Sequence, residues 1–207
     1  MKNNLSAEEI AETFRKACDS GLIREEDTLS IFYDLVFLEE RFRHLQSCFP
    51  KNAIHAVAMK TNPLEKILQK LKELGAAAEV ASFGELRMAE NAGYPSGDIV
   101  YDSPVKTVPE LEYALGAGLH INIDSLAELE RIKEIKKRVT SSGTFGIRIN
   151  PQVGTGSIAE SSVAGEYSKF GIPIKSGRTE LIKCFMDNDW LTGVHLHVGS
   201  QGCPMEM

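Results

Sequence analysis

Residues 54–63 read IHAVAMKTNP, an apolar run of Ala, Val, Ala and Met that ends on a lysine and then on Thr-Asn-Pro. Short apolar side chains on both faces suit a strand that is covered on both sides, and Pro63 is placed to break it and open a helix. The reading predicts a strand over 54–59 with Lys60 at its C-terminal end. In α/β barrels that edge of the sheet carries the chemistry, and an amine held in a partly dry pocket can lose its proton and form a Schiff base. A lysine that closes a strand is more commonly a solvated flank, so its role turns on what the rest of the chain brings to the same edge.

Outward from this stretch, short apolar runs recur over 77–81, 99–102, 120–124, 145–150 and 193–198. Helical periodicity fills the gaps between them. Over 64–74 the apolar positions are Leu64, Ile67, Leu68, Leu71 and Leu74, with Gly75 as the stop. Over 83–93, Leu86, Met88 and Ala89 are expected to be buried, and Gly93 ends the helix. Helices over 108–118 and 125–137 complete the series, the second opened by Ser125 and Glu128 at capping-box spacing. A β-α-β-α rhythm of this kind gives parallel strands with right-handed crossovers, and the strands read as too apolar to leave a solvated face. Both an open doubly wound sheet and part of a (β/α)8 barrel fit. No GxGxxG follows Met59, Ala81 or Asp102, so the dinucleotide fingerprint is missing. A closed barrel takes about 250 residues, and six strands with their helices fall two units short of it.

Composition excludes some function classes. The chain has 207 residues, 43% hydrophobic and 25% charged, the balance of a globular domain with a sizeable core. A net charge of −6 argues against nucleic-acid binding, because the basic residues from Arg131 to Arg138 are interleaved with Glu134 and read as a solvated helix face. Cys18, Cys48, Cys184 and Cys203 lie far apart, which suggests neither zinc nor a disulfide framework and points to reduced thiols. The first residues, MKNNLSAEEIAETFRKA, read as an amphipathic acidic helix without a signal-type apolar region, so a cytoplasmic protein with no membrane contact is expected.

The last apolar run sits in GVHLHVGSQG, where His195 and His197 alternate onto one face and Gly199-Ser200 follow at the edge that Lys60 occupies. An imidazole there can stack on a flat ring, and a Gly-Ser turn can offer an N–H and a hydroxyl to a phosphate. A hydrogen-bonded core histidine and a plain turn serine explain the same letters. A zinc site on His195 and His197 needs a third ligand that no spacing supplies, so no metal is expected.

The order of these pieces resembles the fold-type III pyridoxal-phosphate enzymes, the group of diaminopimelate, ornithine and arginine decarboxylases, with alanine racemase as a more distant member. The resemblance runs through IFYDLVFLEERFRHLQSCFP (31–50), AVAMKTNP (56–63), EVASFGEL (79–86), INIDSLAELERI (121–132), GIRINP (146–151), SKFGI (168–172) and GVHLHVGSQ (193–201). It implies an α/β fold, a partial pyridoxal-phosphate-binding TIM-type barrel of about six β/α units over 28–207, with 1–27 as an N-terminal helical extension. It implies pyridoxal 5'-phosphate as cofactor, with Lys60 as the Schiff-base lysine. His197 would stack on the pyridine ring, Ser200 would help hold the phosphate, and Glu79 stands where the family usually has an acidic residue, commonly Asp. Arg148 matches the arginine of the fifth strand.

The implied reaction is decarboxylation of an amino acid, with a diamino or basic one expected as substrate and a homodimer as the full-length form. The loop PQVGTGSIAESSVAGEYSKFG lacks the histidine that diaminopimelate decarboxylases usually carry there, so the individual substrate stays open. The family's last barrel units and its β domain, to which a strand over 29–33 would belong, are not in these 207 residues, and the chain alone is expected to be inactive. A racemase or cofactor carrier of the same fold type, or an inactive fragment that binds a partner chain, are the alternative readings.

Overall fold

The computed structural model describes residues 5–154 and 163–199. The chain divides into two compact units, Met1–Leu38 and Glu39–Met207. In the first, α1 (Ala7–Asp19) is opened by a full capping box: Ser6 Oγ accepts from the Glu9 N–H and the Glu9 carboxylate accepts from the Ser6 N–H. Residues 29–33 form no strand, and Leu29, Ile31, Phe32 and Tyr33 are exposed. A strand persists only where its N–H and C=O groups find a ladder, and 29–33 have none among the described residues.

Helix α2 (Leu35–Ser47) spans the boundary between the units and was not legible from periodicity. In the second unit it buries Phe42 and pairs Glu39 with Lys70 at 2.7 Å. There follow β1 (Ala56–Ala58), a 3-10 turn (Met59–Thr61), α3 (Glu65–Glu73), β2 (Ala77–Val80), α4 (Phe83–Asn91) and β3 (Ile99–Tyr101). Then come α5 (Val108–Ala117), β4 (His120–Ile123), α6 (Leu126–Lys136), β5 (Phe145–Asn150), β6 (Ile172–Pro173), α7 (Ile174–Asp187) and β7 (Leu191–Leu196). All strand pairs are parallel, in the order β1-β2-β3-β4-β5, with β6 and β7 both paired to β5. The sheet is open, as a barrel short of its last units must be. The two-residue β6 and the whole of α7 went unpredicted, although Leu181, Cys184 and Phe185 at three-and-four spacing form the apolar face of α7.

Several expected boundaries shift for physical reasons. Ile54 is exposed and outside the first strand, because β1 pairs with β2 alone and the ladder covers just Ala56–Ala58 against Ala77–Glu79. The last strand begins earlier than 193, and its ladder with β5 ends at Leu196, leaving His197 beyond it. Met88 is exposed, while Leu86 and Ala89 are fully buried. Ser125 does cap α6 by accepting from the Glu128 N–H, but the Glu128 carboxylate does not return the bond; it turns inward to Lys106.

The expectation that both sheet faces are apolar also gives way. One face carries Val80, Tyr101, Ile121, Ile123 and Ile147 into a core with Leu86, Leu111, Leu115, Leu129 and Ile132 from the helices. The alternate residues, Glu79, Asp102, Asn122 and His195 among them, line the opposite, concave side. Burying the first face holds the sheet against the helices, which leaves the second free to carry polar groups.

Candidate functional site

On that concave side lies a cavity of about 580 Å³, lined by Ala56, Ala58, Lys60, Thr61, Glu79, Val100, Asp102, Asn122, His195, His197 and Gly199. Small residues on β1 make the space: Ala56 and Ala58 put no bulk where Lys60 enters from the next turn. That turn is tied down by Thr61 Oγ1, which donates to Ala58 O at 2.7 Å, and by the Asn62 N–H, which donates to Met59 O at 3.1 Å. Met59 is buried, so its neighbour Lys60 is turned outward into the cavity.

Glu79 faces Lys60 from β2, since Ala58 is its register partner. Among the described residues its Oε1 is buried with no hydrogen-bond partner, an arrangement that costs stability unless a ligand completes it. Burial pushes the Glu79 carboxyl above its usual range, and the Lys60 ammonium opposes that shift. His197 stands on the opposite wall. Burial, then the charges of Arg148 and Lys60, hold its imidazole below its ordinary value and keep it neutral. A flat ring, an amine and an acid whose proton affinity burial raises thus face one cavity.

Arg148 on β5 is the register partner of His195. It is buried, its Nη1 is 3.5 Å from Asp124 Oδ1, and its guanidinium sits 4.7 Å from the Phe170 ring centroid. The SKFGI segment owes its glycine to this packing. Gly171 has φ +71°, and a Cβ there would come within 3.0 Å of Arg148 Cγ and of the Arg148 and Asn150 backbones. The Gly171 N–H also serves the Asp124 carboxylate, whose proton affinity burial raises while Arg148 lowers it. Of the residues singled out from sequence, Lys60, Glu79 and His197 therefore meet in the cavity, and Arg148 is buried against Asp124 and Phe170 outside its lining. Ser200 lies outside the described residues.

Sequence reasoning missed Asp102, Asn122, Lys106 and Glu128. Asp102 is held at the end of β3 by its N–H, which donates to Val80 O at 2.8 Å, and its Oδ1 is 3.2 Å from His195 Nδ1. Asn122 Oδ1 lies 3.1 Å from His120 Nε2, and a Cβ on Gly146 would come within 2.6 Å of that same oxygen. Lys106 Nζ donates to Glu128 Oε1 at 2.6 Å, Ser103 O at 2.6 Å and Asn122 O at 2.8 Å. This clamp fastens the loop after β3, and so Asp102, to β4 and α6. A buried Lys-Glu pair at a separation of 22 residues has no sequence signal beyond its letters. Among the described residues, no helix is long and apolar enough to cross a membrane.

Comparison with known proteins fits this geometry. Residues 35–206 match the family described as "Pyridoxal-dependent decarboxylase, pyridoxal binding domain". The chain is 32% identical over 199 residues to diaminopimelate decarboxylase of Aquifex aeolicus, covering 95% of this chain and 44% of that protein. It is 32% identical over 197 residues to the Methanocaldococcus jannaschii diaminopimelate decarboxylase, covering 93% and 44%. The crystal structure of Helicobacter pylori diaminopimelate decarboxylase complexed with L-lysine superposes with a TM-score of 0.78 at 27% identity, over 88% of this chain and 47% of that one. The chain thus spans less than half the length of the curated relatives it matches.

Proposed function

This chain belongs to the pyridoxal-dependent decarboxylases through their pyridoxal-binding domain, and on that premise we propose that its cavity holds pyridoxal 5'-phosphate and that the whole protein decarboxylates a diamino or basic amino acid. The observation that carries the reading is the meeting of Lys60 with the neutral His197 and with a buried Glu79 oxygen that has no hydrogen-bond partner among the described residues. The donor set fits the cofactor: an amine to link it, a flat ring to stack on it, and a buried acid oxygen with no partner among the described residues.

Lys60 Nζ would hold the cofactor covalently at its aldehyde carbon, from a turn that the Thr61 and Asn62 bonds keep rigid. Glu79, whose proton affinity burial raises, can exchange a proton with a group held beside that amine. His197 supplies a neutral stacking wall, and Asp124 balances part of the Arg148 charge. Ser200 is assigned the phosphate on the strength of the GVHLHVGSQ resemblance. When bound, the cofactor supplies an electron sink for the pair left behind as CO₂ departs. The remaining barrel units, the β domain and a homodimeric assembly belong to the whole protein on this reading.

The test is the absorbance spectrum of the purified chain with pyridoxal phosphate, before and after borohydride, followed by mass analysis of the peptide that contains Lys60. A reduced adduct on Lys60 that disappears in Lys60→Ala is the expected result. An unchanged spectrum in Lys60→Ala refutes the assignment. Carbon dioxide release by the whole protein from a panel of diamino acids then separates decarboxylation from racemisation.

A further inference from the structure

Strand β7 brings two imidazoles to the cavity, and the reading above uses one of them. His195 lines the cavity beside Asp102, with its Nδ1 3.2 Å from Asp102 Oδ1. That nitrogen is buried, and its contact with the carboxylate lacks hydrogen-bond alignment as it stands. At 3.2 Å the pair is within hydrogen-bond distance, and χ2 is a soft torsion about which the N–H can turn toward the oxygen. Asp102 then fixes neutral His195 as the Nδ1–H tautomer and leaves Nε2 as the nitrogen free to take a proton.

The charged and titratable groups that act on His195 are Asp102 just past β3, His120 on β4, Arg148 on β5 and His197 just beyond β7. Lys60 and Glu79 line the same cavity from the β1 turn and β2. Burial, Arg148 and the other two imidazoles disfavour a charge on His195, while Asp102 favours it. The ring therefore rests neutral, beside a carboxylate already placed to receive an imidazolium. A phosphate-bearing ligand adds negative charge to this cavity, and in a poorly solvated space that charge shifts the balance toward the protonated ring.

We propose that Asp102 and His195 form a proton-storing pair: entry of an anionic, phosphate-bearing ligand draws one proton from the buffer onto His195 Nε2, and Asp102 holds the imidazolium so formed. The proposal rests on the cofactor reading of the cavity and adds a regulation to it, because occupancy becomes linked to pH. The sign follows from linkage. A ring that binds its proton more tightly in the occupied state makes affinity rise as pH falls between the occupied and the empty titration points.

Long-range ¹H–¹⁵N NMR of the full chain reads the tautomer and titration of His195 without any ligand. The expected result is an Nδ1–H tautomer in the native sequence, with that preference lost and the midpoint lowered in Asp102→Asn. An Nε2–H tautomer, or no change in Asp102→Asn, overturns the pair. Calorimetry with pyridoxine 5'-phosphate, which has no aldehyde and cannot link to Lys60, in two buffers of different ionisation enthalpy reads the proton taken up on binding. Uptake that is lost in Asp102→Asn and in His195→Gln, but kept in His197→Gln, is expected. Binding with equal uptake in all four proteins overturns this inference and leaves the cofactor reading standing. Failure of the native sequence to bind overturns the cofactor reading and this inference with it.

Discussion

Replacing Lys106 with methionine keeps most of the side chain's volume and removes its charge. The native Nζ makes three bonds, to Glu128 Oε1, Ser103 O and Asn122 O, and the two side chains of the pair are 0% and 1% exposed. Removing one member of such a pair leaves the other charge buried and uncompensated, at a cost of about 3–5 kcal/mol. An exposed pair would be worth roughly 0.2–1 kcal/mol. Against a total of about 5–15 kcal/mol for a domain, Lys106→Met should therefore remove a large share of the stability. The loss should also depend on pH. Burial already pushes the Glu128 carboxyl up, and Lys106 opposes that shift. With the lysine gone, the folded state binds more protons than the unfolded one above the ordinary carboxylate range, so stability falls as pH rises through that window. The deficit relative to the native sequence should be smaller near about pH 5 than near about pH 8. Urea unfolding with an unchanged m-value measures both quantities, and Lys106→Met/Glu128→Leu should recover most of the loss because no bare charge is left inside. A loss under about 1 kcal/mol, or one that does not vary with pH, refutes the reasoning.

Other outcomes follow from the same geometry. Gly171→Ala combines a left-handed φ with contacts of 3.0 Å to Arg148 and Asn150, and should cost about 1–3 kcal/mol in thermal unfolding. Glu79→Gln should flatten the pH dependence of the melting temperature. The Glu79 carboxyl is raised in the fold, so the native protein loses stability as pH climbs above the ordinary carboxylate value, and an amide does not titrate; a slope retained in the variant would assign it to another group. His197→Ala should weaken cofactor affinity by about the 1 kcal/mol of a ring-stacking contact while the borohydride adduct on Lys60 still forms at saturation. Loss of the adduct at saturation would show that His197 does more than stack.

The parts of the fold legible in the sequence were those with local periodicity. The repeats of α3 and α5, with Gly75 and Gly118 as stops, and the apolar runs of β2 to β5 stand close to where their spacing placed them. The α7 helix carries a usable apolar spacing, but Gly177 near its start and Pro173 before it weaken the local helix signal. Glu128 shows how tertiary demand overrides local grammar: three residues after Ser125 it has capping-box spacing, yet a buried lysine claims its carboxylate. A charge-assisted bond in a dry interior outweighs an exposed bond to the chain's own backbone.

Lys60 and His197 could be singled out because each closes an apolar run at one sheet edge, while Glu79 was singled out by the family resemblance of EVASFGEL. The Asp102–His195 contact, the Lys106 clamp and the polar concave face could not. They join residues from strands whose relative register is set when the apolar face of the sheet packs against its helices. The amino-acid order by itself determined the β/α alternation and the lysine at the mouth of the first strand, because both follow from local periodicity and backbone stereochemistry. Which acid faces which base was decided by the tertiary structure alone, because side chains far apart in the chain approach within 3–4 Å only after the strands have paired.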